Sequence, residues 1–136
     1  TLQIKIKMAS IFTKIINGKN QSYKIAEDDN NFAFLDINPN AKGHTLCIPK
    51  KEVDKILDLD EASYLSLMAF SRKVGKAVEN AMECNRVGMM VVGLEVPHVH
   101  VHLIPLNSMK DATFQNKIAL TREEFISGAE KIKSFL

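Results

Sequence analysis

The chain has 136 residues, of which 46% are hydrophobic and 25% are charged, a length and composition that suit one globular domain. Its 18 basic and 16 acidic residues are interspersed and give a net charge of +2, which argues against a dedicated nucleic-acid-binding surface. We find no apolar run of membrane-spanning length and no signal-peptide pattern, so we expect no membrane partner. Because the two cysteines, Cys47 and Cys84, stand singly, we expect free thiols and a reducing, cytoplasmic location.

The first half of the chain is predicted to form one short helix and three strands. We expect residues 1–7 to be a cloning remnant or an N-terminal extension, and we assign a single domain to residues 8–136. Apolar residues at helical intervals predict a helix over residues 11–16, which ends at Asn17 and Gly18. The predicted strands are residues 22–27, 31–35 and 44–49, with a polar turn over residues 28–30 and a loop over residues 36–43.

The second half is predicted to contain two amphipathic helices and two strands. Asp58 begins a capping-box pattern, which predicts a helix to about Met82, and Thr121 begins another, which predicts a C-terminal helix to about Phe135. The first of these helices carries an apolar stripe formed by Leu65, Met68, Ala69, Val74 and Val78. The predicted strands are residues 86–92 and 99–104, with a short connection over residues 93–97 and a loop over residues 107–119. Strands with hairpin-length connections favour an α+β domain with an antiparallel sheet over a parallel βαβ fold.

The most informative segment holds three of the four histidines at two-residue spacing. This alternation is typical of a strand, in which His98, His100 and His102 would form one row and the aliphatic residues between them would face the other side. Imidazole changes charge near neutral pH, so such a row favours a phosphate-facing catalytic surface or a metal site. A structural row of partly buried, hydrogen-bonded histidines is the alternative.

The segment from His98 to Ile104 resembles the signature of the histidine triad (HIT) family of nucleotide hydrolases and transferases, in which histidines alternate with hydrophobic residues. All seven positions fit this signature. Residues 10–16, 33–39 and 43–50 resemble, in order and spacing, the blocks of the branch that includes the Hint proteins. The resemblance implies a five-stranded antiparallel sheet with two main helices, in a homodimer whose two sheets join.

The resemblance also implies a role for each histidine. Reaction at phosphorus needs a nucleophile, a proton donor for the leaving group and donors for the phosphoryl oxygens. His100 corresponds to the nucleophile, and its attacking nitrogen must be unprotonated, so its other nitrogen should donate to a carbonyl. His98 and His102 would bind or protonate phosphoryl and leaving-group atoms. His44 corresponds to the additional histidine that completes the cluster.

Residues before the triad are expected to hold the nucleoside. By resemblance Asp36 binds the ribose hydroxyls, although an acid in this position is also typical of a loop or an N-cap. The residues that match the purine slot are Ile11, Phe12, Ile15, Phe34, Leu35 and Ile37, and apolar residues there are equally expected of a core. We add Gly93 and Glu95, from the loop before the triad, to the nucleotide-binding set.

Some departures of this chain from the family pattern bear on metal binding and on the substrate. Zinc-binding members carry a Cys-x-x-Cys pair where this chain has Ser10 and Thr13, so we expect no structural zinc and no cofactor. Leu94 and Glu95 replace a polar pair that contacts the phosphate in relatives. Glu95 could orient a histidine, bind an amine-bearing leaving group or be a solvated surface acid, so the substrate preference stays open.

The expected function is hydrolysis of purine nucleoside phosphoramidates or related nucleotidyl bonds through a covalent nucleotidyl-histidine at His100. The expected partners are a purine nucleotide such as AMP or GMP and a second copy of the chain. Alternatives are a dinucleoside polyphosphate hydrolase and a nucleotide-binding regulatory protein with little turnover. A metalloenzyme is a further alternative, since His-x-His on a strand is also metal-ligand spacing.

Overall fold

The computed structural model describes residues 9–136, and the expected extension over residues 1–7 lies outside the described residues. The strands are β1 (Lys24–Glu27), β2 (Asn31–Leu35), β3 (Thr45–Pro49), β4 (Arg86–Met90) and β5 (Val101–Leu106). The helices are α1 (Ile11–Ile16), α2 (Glu61–Ala81) and α3 (Arg122–Lys133), with short 3-10 turns at Ile56–Asp58 and Met109–Ala112. The strands form one antiparallel sheet in the order β1-β2-β3-β5-β4. The predicted α+β class, with five antiparallel strands and two main helices, is confirmed.

The two faces of the sheet bury different side chains, because successive residues of a strand point to opposite sides. β2 and β3 are buried along their whole length and pair with Phe34 opposite Leu46. One face packs against α2 and α3 in the main core, which includes Leu35, Cys47 and Val101. The other face packs against α1 through a smaller cluster formed by Phe12, Phe32, Phe34, Leu46 and Ile48.

Helix α2 begins two residues later than predicted. Asp60, not Asp58, is the N-cap, because its side chain accepts hydrogen bonds from the backbone N–H and the hydroxyl group of Ser63. Asp58 lies in the preceding 3-10 turn. The buried face also differs from the predicted stripe, since Val74 is buried but Leu65 is 56% exposed. The residues that α2 buries are Leu67, Phe70, Ser71, Val74, Ala77, Val78 and Ala81.

The other helix boundaries agree well with the sequence patterns. α1 spans the predicted residues, and Thr121 and Glu124 form the predicted capping box at the start of α3. Cys47 and Cys84 are free thiols, and Cys47 is completely buried. Within residues 9–136 the structure contains no helix that is long and apolar enough to cross a membrane.

The histidine segment enters the sheet later than predicted. β5 begins at Val101, so His98 and His100 precede the strand instead of lying in it. The backbone N–H of Val99 donates to the carbonyl of Val53 at 2.8 Å, and that of His98 donates to the carbonyl of Val96 at 2.8 Å. These bonds replace the ladder bonds of a strand and hold His98 and His100 just before the first residue of β5.

Candidate active site

The four histidines lie together on the face of the sheet that α1 covers. His44 directly precedes β3 and His102 lies in β5, and these strands are neighbours with Leu46 opposite His102. The ring centroids of His44 and His102 are 5.2 Å apart, and those of His100 and His102 are 4.9 Å apart. Phe12 of α1 packs edge-on against His100 and His98 at 5.0 and 5.9 Å. The pairing of β3 with β5 therefore assembles a cluster from distant parts of the chain.

The hydrogen bond of His100 fixes which of its ring nitrogens carries the proton. Nδ1 of His100 lies 2.7 Å from the carbonyl oxygen of His98, and a carbonyl can only accept. Nδ1 is therefore protonated, and in the neutral ring the lone pair is on Nε2. This is the tautomer that a nucleophilic histidine needs, as the sequence reasoning expected for this position.

His44 and His102 form a second hydrogen-bonded chain of fixed direction. The backbone N–H of Asn40 donates to Nδ1 of His44 at 3.0 Å, so the proton of His44 is on Nε2. Nε2 lies 2.9 Å from Nδ1 of His102 and donates to it. The proton of a neutral His102 is therefore on Nε2, which makes this nitrogen a hydrogen-bond donor.

The surroundings keep both of these rings neutral. Burial, followed by the charges of His102, Lys117 and His100, lowers the pKa of His44 to about 2. Burial, followed by the charges of His100 and Lys117, lowers the pKa of His102 to about 4. Both histidines thus act at neutral pH through their hydrogen-bond direction and not through positive charge.

His98 is surrounded by protein groups on both sides of its ring. The side chain is completely buried, with Nε2 2.7 Å from the carbonyl oxygen of Pro49 and Nδ1 2.8 Å from the hydroxyl oxygen of Ser10. The family resemblance implied that His98 would contact phosphoryl or leaving-group atoms. The structure occupies both nitrogens with protein partners, and the carbonyl oxygen of His98 accepts from Nδ1 of His100.

Asp36 follows β2 directly and lies beside His44. Its backbone N–H donates to the carbonyl of His44 at 2.9 Å, and its Oδ1 accepts from the N–H of Asn38 at 2.8 Å. Its Oδ2 lies 3.6 Å from Nε2 of His44. Burial raises the pKa of Asp36, and the negative charge of Glu95 acts in the same direction. The carboxylate is thus held at the site with restricted access to water.

Asp36, His44 and His102 also lie close enough to bind a metal ion together, with one ligand atom from each within 4.8 Å of the others. The facing nitrogens of His44 and His102, however, bond to each other. A cation placed between them would have to displace the proton that joins the two rings and reorient both lone pairs. The geometry therefore suits hydrogen-bond relay better than metal coordination.

The apolar residues predicted for the purine slot separate into three groups. Phe12 and Phe34 are buried and pack edge-on at 5.5 Å, and Ile15 packs against the same cluster. Ile11 and Ile37 are 51% and 65% exposed, so they are accessible to a ligand. Leu35 does not belong with them. It follows Phe34 in β2, so it points to the opposite face, where it lies in the main core beside Gly128 of α3.

The connection before the triad forms an exposed rim. Gly93 has a positive φ of 74°, a conformation that favours glycine, and this explains its place in the loop without a ligand contact. Glu95 is exposed, and its charge acts on Asp36. Glu95 is therefore on the same side of the molecule as the predicted ribose-binding acid.

Two residues near the histidines have no counterpart in the sequence predictions. The ring of Phe114 packs edge-on against His102 at 4.9 Å, and Nζ of Lys117 lies 4.8 Å from the centre of the Phe114 ring. The N–H of Ile118 donates to the carbonyl of Pro39 at 3.0 Å, which attaches this segment to the loop before His44. Residues 107–119 were predicted only as a loop because they show neither periodicity nor a motif.

The fold and the site together define an α+β protein with a five-stranded antiparallel sheet and a cluster of hydrogen-bonded histidines on one face. The HIT domain model matches residues 17–109. The chain belongs to the HIT family, which confirms the resemblance seen in the sequence.

The similarity to individual relatives extends over most of the chain. The adenosine 5'-monophosphoramidase of Schizosaccharomyces pombe is 39% identical over 100 residues, covering 72% of this chain and 74% of that protein. The enzyme of the same description from Saccharomyces cerevisiae is 37% identical over 106 residues, covering 75% and 65%. Among solved structures, a Hit-like protein from Bartonella henselae described as involved in cell-cycle regulation has a TM-score of 0.82 and 33% identity, covering 93% of this chain and 96% of that one.

Proposed function

We propose that this protein hydrolyses purine nucleoside phosphoramidates, or related nucleotidyl bonds, through a covalent nucleotidyl intermediate on His100. The observation that carries the proposal is the bond from Nδ1 of His100 to the carbonyl of His98, which leaves the lone pair on Nε2. The two fungal relatives described as adenosine 5'-monophosphoramidases support the choice of substrate class.

The proposed reaction has two steps. Nε2 of His100 attacks phosphorus and the bond to the leaving nitrogen breaks, with the nitrogen taking up one proton from solvent and departing as an amine. Nε2–H of His102 donates to a phosphoryl oxygen, and the bond from His44 to Nδ1 of His102 keeps this donor in its orientation. Water then attacks phosphorus and the bond to Nε2 breaks, which releases the nucleotide, restores the lone pair on His100 and returns one proton to solvent.

The nucleoside would lie between Asp36 and α1. We assign the ribose hydroxyls to the Asp36 carboxylate, which accepts hydrogen bonds beside His44. We assign the purine to the apolar surface around Phe12, with the exposed side chains of Ile11 and Ile37 at its edge. Phe12 also packs against His100, so the same helix would position both the base and the nucleophile.

A dinucleoside polyphosphate is the second candidate substrate. The cation of Lys117, next to Phe114 and His102, favours a leaving group that is an anion. Glu95, also at the rim, favours a leaving group that carries an amine. An assay in which a phosphoramidate and a dinucleoside polyphosphate compete for the enzyme therefore decides between the two candidate substrates.

We further propose that the functional unit is a homodimer formed along β4. Among the described strands, β4 is an end of the sheet and pairs on one side only, with β5. Met89 of β4 is 46% exposed, and Leu65 of α2 is 56% exposed. Pairing of two β4 edges would satisfy the open backbone groups and cover apolar side chains.

The experiment that tests the proposed function compares wild type with His100→Ala. We expect wild type to release AMP from adenosine 5'-phosphoramidate and to form a nucleotidyl adduct, which mass spectrometry after an alkaline quench locates on His100, since the P–N bond is stable in alkali and labile in acid. We expect His100→Ala to lose measurable turnover and the adduct while it still binds AMP. Turnover in His100→Ala within a few-fold of wild type would refute the covalent mechanism. Stabilisation of wild type by AMP without turnover of phosphoramidates or polyphosphates would favour the regulatory alternative.

A further inference from the structure

A second polar cluster lies behind the triad, where the start of α1 meets residues 49–53. Its centre is His98, which bonds through Nε2 to the carbonyl of Pro49 and through Nδ1 to Ser10. Because a carbonyl only accepts, the proton of the neutral ring is on Nε2. Nδ1 then accepts the hydroxyl hydrogen of Ser10, and the tautomer of His98 is fixed by these two partners.

The hydroxyl group of Ser10 is itself oriented by its neighbours. Ser10 is the N-cap of α1, and its Oγ accepts the backbone N–H of Thr13 at 3.1 Å. The backbone N–H of Ser10 and the hydroxyl of Thr13, the latter at 2.8 Å, both donate to Oε1 of Glu52. The nearest acceptor for the Ser10 hydroxyl is therefore Nδ1 of His98 at 2.8 Å, since Oγ1 of Thr13 is 3.3 Å away.

Residues 49–53 also hold the peptide group that orients His100. The carbonyl of His98 accepts from Nδ1 of His100 at 2.7 Å. The N–H on the other side of that peptide, which belongs to Val99, donates to the carbonyl of Val53 at 2.8 Å. The ring of His98 is bonded to Pro49 in the same segment. Ring and peptide of His98 are thus fixed from both ends of one five-residue segment, and Glu52 connects that segment to α1.

We infer that Ser10, Thr13 and Glu52 are positioning residues, which hold His98 so that its carbonyl keeps Nδ1 of His100 protonated and Nε2 aimed for attack. The inference rests on the proposed function insofar as it concerns turnover. The hydrogen-bonded path runs from Glu52 through the N-cap turn of α1 to His98 and on to His100. None of the three residues needs to contact the substrate for this role.

The kinetic test is Ser10→Ala with adenosine 5'-phosphoramidate as the substrate. We expect kcat to fall about three- to tenfold and KM to stay within about twofold, because one buried hydrogen bond is lost on the path to the nucleophile. Thr121→Ala is the matched control, since it removes the side-chain N-cap of α3, which packs on the face of the sheet opposite α1 and the histidines. If Ser10→Ala only displaced α1, KM would rise as well, because Phe12 on this helix lines the proposed base slot.

A second pair of variants separates the hydroxyl group from the size of the side chain. Thr13→Val removes the donor to Glu52, whereas Thr13→Ser keeps it. We expect the loss in kcat for Thr13→Val and its recovery in Thr13→Ser. Equal kcat in Ser10→Ala, Thr13→Val and the Thr121→Ala control would overturn the inference.

Nitrogen-15 NMR of the imidazoles tests the network without any need for turnover. We expect wild-type His98 to carry a proton on Nε2, and we expect Ser10→Ala to shift the Nδ1 resonance of His98 and to perturb the ring signals of His100. Unchanged signals in Ser10→Ala would overturn the inference. If wild type turns over none of the substrates, the proposed function fails, and the NMR result still decides whether the network orients His98.

Discussion

Acid should destabilise this protein through the two neutral histidines of the relay. In the unfolded chain a histidine takes up a proton with a pKa near 6.5, whereas the folded values are about 2 for His44 and about 4 for His102. As pH falls below 6.5, the unfolded state therefore binds protons that the folded state cannot bind. Between about pH 8 and about pH 5, each histidine should remove roughly 2 kcal/mol from the free energy of unfolding, or roughly 4 kcal/mol together.

The measurement is urea unfolding, followed by circular dichroism, at several pH values across this range. His44→Gln isolates one of the two contributions, because glutamine does not titrate and can still donate to Nδ1 of His102. We expect the free energy lost between about pH 8 and about pH 5 to be smaller by about 2 kcal/mol in His44→Gln than in wild type. An equal loss in the two proteins would show that His44 is not held neutral by the fold and would refute the reasoning.

Four further predictions concern the proposed site and the assembly. Turnover should survive EDTA, and activity that EDTA removes and zinc restores would favour a metal at Asp36 over hydrogen-bond relay. Lys117→Met should weaken turnover of dinucleoside polyphosphates by about two- to fivefold more than turnover of phosphoramidates, since an exposed charge contributes up to about 1 kcal/mol; equal effects would remove Lys117 from leaving-group selection. Glu95→Ser should change the relative turnover of substrates with lysine-like, neutral-amine and pyrophosphate leaving groups more than it changes the affinity for AMP. An equal change in turnover for all three substrates would identify Glu95 as a solvated acid. Light scattering at micromolar concentration should give a dimer mass for wild type and a smaller mass for Met89→Asp, whereas a monomeric wild type would contradict the proposed β4 interface.

The sequence pattern predicted the fold well where the physical signal is local. The apolar spacing of α1 and the capping box at Thr121 each depend on a few neighbouring residues, and both appear in the structure as predicted. The predicted start of α2 was wrong because two aspartates stand two residues apart, and Ser63 donates its hydrogen bonds to Asp60 and not to Asp58. A local pattern cannot choose between two such caps.

The candidate site shows a similar division. Strand periodicity and the family resemblance predicted the cluster of histidines and the carbonyl partner of His100. The same reasoning placed Leu35 beside Phe34, although consecutive strand residues face opposite sides. The network around His98 and the contact of Phe114 with His102 depend on residues far apart in the chain, and without the pairing of β3 and β5 no pattern brings them together.

The burial of Cys47 provides the protein with an internal reporter of movement of the helices away from the sheet. Burial raises the pKa of its thiol to about 12, and its strand neighbours are Ala33 on one side and Val101 on the other. Its side chain points into the main core under α2 and α3, so a thiol reagent can reach it only when these helices move away from the sheet, whereas the partly exposed Cys84 is accessible without such a movement. Since His102 lies on the opposite face of the sheet, the labelling rate of Cys47 relative to Cys84 measures how often the main core opens behind the histidine site.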